Sequence, residues 1–255
     1  MLDCLKQSLT ENSFSRQEEL TFRDCDALGR LRMGTLISLL AGEAGHDYDA
    51  RGLDYRKLRE LRQIFLLSRV SLRIHRRPMA GDILTIVTWE NGSRGAHVQR
   101  NFELTDQDGV LCVSAKSDWI IVDPEDRRIV RPAAFTGKAL TLCPKEIDCP
   151  DCRRMTLPAQ GTEELGRRKV AYSDLDFNGH VHCGSYGSML WDALPPDLQN
   201  AGVREFAINY SKEAHLGDEL RILAARDGNS LLAEGICHET CSFACACTFD
   251  APERA

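Results

Sequence analysis

The chain of 255 residues has no long uninterrupted run of apolar residues. No window approaches the roughly 18 uncharged apolar residues that a membrane-spanning helix requires. The N-terminal segment, MLDCLKQSLTENSFSRQEEL, also lacks the basic-then-apolar order of a secretion signal. These two absences predict a protein without a membrane partner and with a cytoplasmic location.

Excess positive charge is lacking too, because 32 Lys and Arg residues are outnumbered by 38 Asp and Glu residues and the net charge is -6. A dedicated nucleic-acid-binding domain normally has a basic surface, so this balance argues against a nucleic-acid partner. Basic residues cluster only locally, at Arg73, Arg76 and Arg77, at Arg127 and Arg128, and at Arg167, Arg168 and Lys169. Clusters of this size are usually solvated surface, although they can also meet an acidic partner.

The 11 cysteines lack the even number that a disulfide framework requires, and the chain lacks the signal peptide that accompanies one. Cys149 and Cys152 form a CPDC motif, and a structural zinc site would need a second such pair. The cysteines near the C-terminus do not supply that pair, because even separations place three of them on one face of a strand: Cys241, Cys245 and Cys247. We therefore expect free thiols, no metal and no cofactor.

What the sequence does contain is an internal repeat. Residues 22–31, FRDCDALGRL, align without a gap with residues 172–181, YSDLDFNGHV. A segment with helical periodicity follows each copy. Its apolar positions are Leu36, Ile37, Leu40 and Ala44 in the first copy, and Tyr186, Met189, Leu190, Ala193 and Leu194 in the second. The second helix is predicted to end at Pro195-Pro196.

A second pair of matching segments lies farther along the chain. Residues 70–84 align with residues 206–220, and each is an alternating apolar strand that leads into a Gly-Asp turn. Each half is therefore predicted to form a short strand, one long helix and several antiparallel strands that wrap the helix. We expect an α+β duplication with one unit in residues 1–131, a linker rich in Pro, Gly and charge in residues 132–168, and a second unit in residues 169–255.

The two copies differ at three polar positions of the second copy. Asn178 corresponds to Leu28, His180 corresponds to Arg30, and Glu213 corresponds to Arg77. A scaffold role would require the same residues in both copies. Their restriction to one copy predicts a single active site, in the second unit.

The candidate site consists of Asp176, Asn178, His180 and Glu213. The first three alternate along a loop, so an extended chain would project all three the same way. The loop leads into a helix whose first N–H groups lack internal partners, so the helix start is predicted to offer an oxyanion site. Hydrolysis of an acyl thioester needs such donors and a base for the water proton. Either Glu213 or His180 can be that base, with Asp176 orienting Asn178 or the imidazole.

A purely structural interpretation of the same motif is also available, because Asp, Asn and Gly are common in turns and helix caps. His182, Cys183 and His215 are nearby candidates with weaker claims. Cys183 at a helix start could be a nucleophile with a lowered pKa. No base is suitably spaced from it, so a structural use of this thiol is favoured.

A family resemblance rests on two segments of the second half, YSDLDFNGHVHCGSYGSMLWDAL and INYSKEAHLGD. They resemble the acyl-acyl carrier protein (acyl-ACP) thioesterases of plants and bacteria, whose hallmark is a D-x-N-x-H segment before a helix and a later Y-x-x-E. The first half is similar to that family's N-terminal domain, and the resemblance covers residues 18–249. It implies a tandem (double) hotdog fold, in which each sheet wraps its long helix, and hydrolysis of fatty acyl thioesters carried on acyl carrier protein.

The resemblance places the family's catalytic Asp, Asn and His on Asp176, Asn178 and His180, and its acidic residue on Glu213. It implies that the first unit holds the acyl chain and has a degenerate site. Acyl carrier protein is strongly acidic, so basic residues are candidates for docking it. The first candidates lie just before the motif: Arg167, Arg168 and Lys169.

The chain departs from the family pattern at three positions. His182 and Cys183 stand where plant members usually have Asn-Asn, and Ala214 stands where a Cys is often found. One alternative is another hotdog enzyme, an acyl-CoA thioesterase or a hydratase. A second alternative, motivated by the changed helix start, is a non-catalytic acyl-binding module. The sequence leaves the acyl chain length open and is consistent with a monomer or a homodimer.

Overall fold

The computed structural model describes residues 4–137 and 141–250. The outer ends of the two predicted units, residues 1–3 and 251–255, and three residues of the predicted linker, 138–140, lie outside the described residues. Within the described part of the chain, no helix combines the length and the apolar character needed to cross a membrane.

Unit 1 comprises Met1–Leu31 and Leu39–Cys152. Its strands and helices, with α1 counted here as a whole, are β1 (Cys4–Leu9), β2 (Phe14–Glu19), α1 (Met33–Ala50), α2 (Tyr55–Glu60), β3 (Ile64–Ile74), β4 (Ile83–Arg94), β5 (His97–Thr105), β6 (Leu111–Val122) and β7 (Ile129–Val130). The strands pair antiparallel in the order β1-β2-β4-β5-β6-β3, and β7 pairs with the end of β6.

Unit 2 comprises Arg32–Ser38 and Arg153–Ala255. Its elements are β8 (Glu163–Lys169), α3 (Cys183–Ala193), α4 (Pro196–Asn200), β9 (Val203–Tyr210), β10 (Glu219–Asp227), β11 (Ser230–Cys237) and β12 (Thr240–Phe249). The strand order is β9-β12-β11-β10-β8, all antiparallel. Read backwards, this order repeats β2-β4-β5-β6-β3 of unit 1, so the predicted duplication is confirmed by the topology.

The long helices bury the apolar stripes that their sequences predict. In α1 the buried positions include Leu36, Ile37, Leu40 and Ala44, and in α3 they include Tyr186, Met189 and Leu190. The α3 helix ends at Ala193, just before the two prolines, as expected from the missing N–H of proline. Each sheet therefore has an apolar helix face to cover.

The second half of α1 departs from the expected apolar character. Glu43 and Asp47 are both 1% exposed. Asp47 Oδ2 accepts a 2.7 Å hydrogen bond from Nη1 of Arg100 on β5, which is itself buried. Glu90 on β4 lies 3.6 Å from Nη2 of the same guanidinium. The interior beside this part of α1 is charged, and it is stable only because the opposite charges pair.

The linker ends earlier than the sequence suggests. Residues 163–169, of which all but the last fall inside the predicted linker, form strand β8, which pairs with β10 at the edge of the unit 2 sheet. Its sequence, EELGRRK, has no apolar alternation because an edge strand with exposed side chains does not need one. Composition alone therefore hid this strand.

The CPDC motif packs against the unit 1 sheet. The Cys149 thiol donates to the Ser71 carbonyl oxygen at 3.3 Å, and the Cys152 thiol donates to the Lys116 carbonyl oxygen at 3.4 Å. Burial raises the pKa of Cys149 to about 11, so the thiol stays protonated at neutral pH. All ten cysteines in the described part of the chain are free. The prediction of free thiols is confirmed for those ten.

Candidate active site

The loop before α3 is built by one carboxylate. Asp176 Oδ1 accepts hydrogen bonds from the backbone N–H of Asn178 at 2.8 Å and of His180 at 3.2 Å. The Asp176 N–H in turn donates to the His180 carbonyl at 2.8 Å, and Gly179 adopts a φ of 79° that suits glycine. The result is a tight turn closed on itself.

This turn corrects the expectation of an extended loop. Asp176, Asn178 and His180 do not project the same way, since the Asp176 carboxylate contacts the backbone and the Asn178 side chain lies on the exposed turn. The physical reason is that an Asp side chain can bind the N–H groups two and four residues ahead, which favours a turn over a strand. Asp176 therefore orients the backbone that bears Asn178 and His180, and its hydrogen bonds do not go to the imidazole.

The structure does bring His180 and Glu213 together. A backbone bridge pairs His180 with His215, and the Val181 N–H donates to the Ala214 carbonyl at 3.0 Å. His180 Nε2 then lies 3.6 Å from Glu213 Oε2, with the two side chains 28% and 33% exposed. An imidazole and a carboxylate at this spacing, open to solvent, can act together on a proton of bound water.

His215 and Asp218 extend this group of polar side chains. The rings of His180 and His215 pack edge to face with centroids 5.1 Å apart. Asp218 Oδ2 accepts a 2.9 Å hydrogen bond from the His215 N–H, and Asp218 Oδ1 lies 3.0 Å from His238 Nε2. Sequence reasoning gave His215 a weak claim and missed the Asp218 contacts, although the Gly-Asp turn that contains Asp218 was the available signal.

Tyr186 is a further residue that the sequence did not assign to the site. Its periodicity predicted a core position, and the ring is indeed buried. Its hydroxyl accepts a 3.2 Å hydrogen bond from the Ala214 N–H, directly between Glu213 and His215. The hydroxyl therefore ties α3 to the segment that carries the candidate carboxylate.

The start of α3 does not offer the free donors that the sequence predicted. His182 is the N-cap, and its Nδ1 accepts a 3.2 Å hydrogen bond from the Gly184 N–H. The Ser185 N–H donates to the His182 carbonyl at 2.9 Å. These two N–H groups are used by the cap, so neither is available for an oxyanion. Burial raises the pKa of Cys183 to about 12, which argues against a thiolate nucleophile.

Unit 1 repeats the turn without the acid-base pair. Asp26 Oδ1 accepts hydrogen bonds from the N–H groups of Leu28 and Arg30, both at 2.9 Å. Arg30 also donates through Nε to Asp26 Oδ2 at 2.9 Å. Arg77, at the position of Glu213, donates to the Leu31 carbonyl at 2.8 Å, and burial followed by the nearby Arg30 lowers its pKa to about 10. The same backbone therefore carries two guanidinium groups.

The three basic residues before the motif are partly used inside unit 2. Arg167 forms ion pairs with Glu164 at 2.8 Å and with Glu219 at 3.2 Å. Arg168 Nη2 lies 3.1 Å from Asp174 Oδ1. Lys169 is exposed. Of the three, Lys169 is the best placed to meet a partner.

The His182 cap generates a prediction about pH. Burial lowers the pKa of His182 below its ordinary value of 6.5, against the opposing effect of Asp176. As the pH falls below 6.5 the unfolded state binds this proton first, so the contribution of the neutral cap is complete above that pH and declines below it. His182→Asn keeps a capping side chain without the titration. Urea denaturation should show a shallower loss of stability below pH 6.5 in the variant, and equal slopes would contradict this role.

Comparison with known proteins agrees with the geometry. The family model for the N-terminal domain of acyl-ACP thioesterases matches residues 11–134, and the model for the C-terminal domain matches residues 159–245. The oleoyl-acyl carrier protein thioesterase 1 of Arabidopsis thaliana is 22% identical over 238 residues, and that of Coriandrum sativum is 25% identical over 236. Both alignments cover 83% of this chain, which spans 64% and 62% of the two plant proteins.

Solved structures give the same architecture. An acyl-ACP thioesterase from Bacteroides thetaiotaomicron superposes with a TM-score of 0.84 at 24% identity, covering 95% of this chain and 100% of that one. The 12:0-ACP thioesterase from Umbellularia californica gives a TM-score of 0.76 at 15% identity, covering 95% and 99%. At these identities the likeness establishes the fold, and the expected tandem hotdog is confirmed. With both of its halves matched by the family's domain models, the chain belongs to the acyl-ACP thioesterase family.

Proposed function

We propose that the protein hydrolyses the thioester of fatty acyl-ACP and releases the free fatty acid, which ends chain elongation. The observation that carries the proposal is the 3.6 Å separation of His180 Nε2 and Glu213 Oε2. Unit 1 has arginines at both equivalent positions, so the scaffold does not require this pair. Membership in the family supports the substrate class, and related proteins carry names that specify oleoyl-ACP and 12:0-ACP.

The pair is spaced to share a water molecule. A distance of 3.6 Å is too long for a direct hydrogen bond. A water oxygen about 2.8 Å from each group would instead contact both the imidazole and the carboxylate. Because both side chains are partly exposed, water and a thioester can reach them.

Hydrolysis then follows from ordinary acid-base chemistry. The water oxygen forms a bond to the thioester carbonyl carbon while His180 or Glu213 takes its proton. The carbonyl electrons move onto the oxygen, and we assign the Asn178 amide as a donor to this oxyanion, since the helix start uses its Gly184 and Ser185 N–H groups internally. The carbon–sulfur bond breaks, the proton passes to the sulfur, and a free acid and the carrier's thiol remain.

Asp176 is a positioning residue in this proposal. Its carboxylate holds the backbone of Asn178 and His180, and Asp26 does the same in the first copy. The role of unit 1 in holding the acyl chain, the cytoplasmic location and the choice between monomer and homodimer stay predictions. The paired charges around Arg100 indicate that an acyl chain inside unit 1 would lie away from the second half of α1.

The catalytic assignment predicts the effect of single substitutions. We expect His180→Ala and Glu213→Gln to lower kcat/KM by about 10²–10⁴-fold, the usual contribution of a positioned acid or base. Asn178→Ala should cost about 10²–10³-fold as the loss of one oxyanion donor, and Asp176→Ala should also lower the rate by loosening the turn. Release of free fatty acid from acyl-ACP is the measurement.

Arg30→Ala is the matched control, because Arg30 occupies the position of His180 on the same backbone in unit 1. It should change the rate little. Wild-type activity in His180→Ala would rule out the assigned site.

The carrier assignment predicts a preference between two thioesters. Palmitoyl-ACP should be hydrolysed with a higher kcat/KM than palmitoyl-CoA, and the ACP reaction alone should slow as salt rises, because its partner is acidic. Lys169→Glu should raise KM for the ACP substrate and leave the CoA substrate unchanged. Arg128→Glu, in unit 1, is the control.

A strong preference for the CoA thioester would favour the acyl-CoA thioesterase alternative. Release of no acid from any carrier-bound chain would favour a non-catalytic acyl-binding module.

A further inference from the structure

Three side chains of the candidate site form a set of metal ligands. His180, Glu213 and His215 each offer one ligand atom, and the three atoms lie within 4.8 Å of one another. Two imidazoles and a carboxylate are ligand types that zinc and similar divalent ions prefer, and three protein ligands leave coordination positions open. The set deserves a chemical reading of its own, separate from acid-base catalysis.

The backbone holds these ligands in place. His180 and His215 face each other across a backbone bridge, and the Val181 N–H donates to the Ala214 carbonyl at 3.0 Å. The Tyr186 hydroxyl fixes the same segment from α3. Ligands on paired backbone segments lose little conformational entropy when an ion binds, which favours affinity.

Asp218 supplies the outer support that metal-binding imidazoles usually have. Its Oδ2 accepts a 2.9 Å hydrogen bond from the His215 N–H and lies 3.8 Å from His215 Nδ1. A carboxylate beside one ring nitrogen orients the ring and makes the other nitrogen a better ligand. His215 is therefore positioned by a residue that would not itself bind the ion.

The first copy shows that the fold does not impose this arrangement. Arg30 and Met79 form the bridge that His180 and His215 form in the second copy, and Arg77 takes the place of Glu213. Guanidinium groups stay protonated and have no lone pair to donate to a metal. The ligand set thus exists only where the acid-base pair exists.

We propose that His180, Glu213 and His215 bind one Zn²⁺ ion, and that the ion inhibits hydrolysis reversibly. Binding would direct the imidazole of His180 and the carboxylate of Glu213 to the metal, so neither could take the proton of the attacking water. The inhibition rests on the proposed function, whereas the binding does not. No bond of the substrate is changed by this step; the ion displaces only water.

The binding test uses the purified full chain and Co²⁺ as a spectroscopic probe for the same ligands. Titration should produce visible d–d absorption that saturates near one equivalent and is removed by added Zn²⁺. In His215→Gln, affinity should fall at least about 10-fold, since loss of even an outer-sphere partner typically costs about 10–100-fold. His238→Gln is the control, because His238 belongs to a second potential cluster with Asp218 and Cys237.

Two binding results would overturn the proposal: equal Co²⁺ affinity in wild type and His215→Gln, or loss of the signal only in His238→Gln. Circular dichroism of each variant establishes that it is folded.

The activity test follows release of fatty acid from acyl-ACP. Zn²⁺ should inhibit the wild type, EDTA should restore it, and His215→Gln should keep its basal rate while becoming at least about 10-fold less sensitive to Zn²⁺. Unchanged or faster hydrolysis by the zinc-loaded wild type would overturn the inhibition. A protein that binds Co²⁺ as described but hydrolyses no thioester would refute the proposed function and leave the metal site intact.

Discussion

The hydrogen bonds from one aspartate to its own loop are the constraint on which both units depend. Asp26 in the first copy and Asp176 in the second each accept the N–H groups two and four residues ahead. The closed turn places the residue at its end, Arg30 or His180, in a bridge with the segment before the Gly-Asp turn. Everything chemical about the second unit follows from which side chains occupy that fixed backbone.

Duplication separates scaffold from chemistry within a single chain. Residues present in both copies, such as the turn aspartates and the left-handed glycines at 29 and 179, serve the backbone. Residues that differ, such as His180 and Glu213, are free to do something else. In the first copy the same positions carry arginines that bind an aspartate and a carbonyl oxygen, so the first turn is closed off by its own side chains.

Much of the fold followed from the sequence because repeats and apolar periodicity are local signals. The helix stripes, the end of α3 before its prolines and the duplicated topology were all predictable in this way. Strand β8 was not, because an edge strand made of charged residues has no apolar pattern to detect. The charges buried around Arg100 were equally hidden, since each is tolerated only through partners on other strands.

The site was predictable in part for the same reason. The loss of symmetry between copies identified His180 and Glu213, which the structure places 3.6 Å apart. The idea of an extended loop failed because it ignored the capacity of Asp176 to bind its own backbone, and the helix-start oxyanion site failed because His182 caps its own helix. Both errors concern side chain to backbone hydrogen bonds, whose geometry a sequence pattern does not contain.

The central claim is that His180 and Glu213 act on one water as a unit, and a double-mutant cycle tests it most directly. The kcat/KM for acyl-ACP would be measured for wild type, His180→Ala, Glu213→Gln and the double variant. Groups that act as a unit show strongly non-additive losses, so the double variant should be little slower than the slower single variant. Losses that multiply would show two independent contributions and would contradict the account.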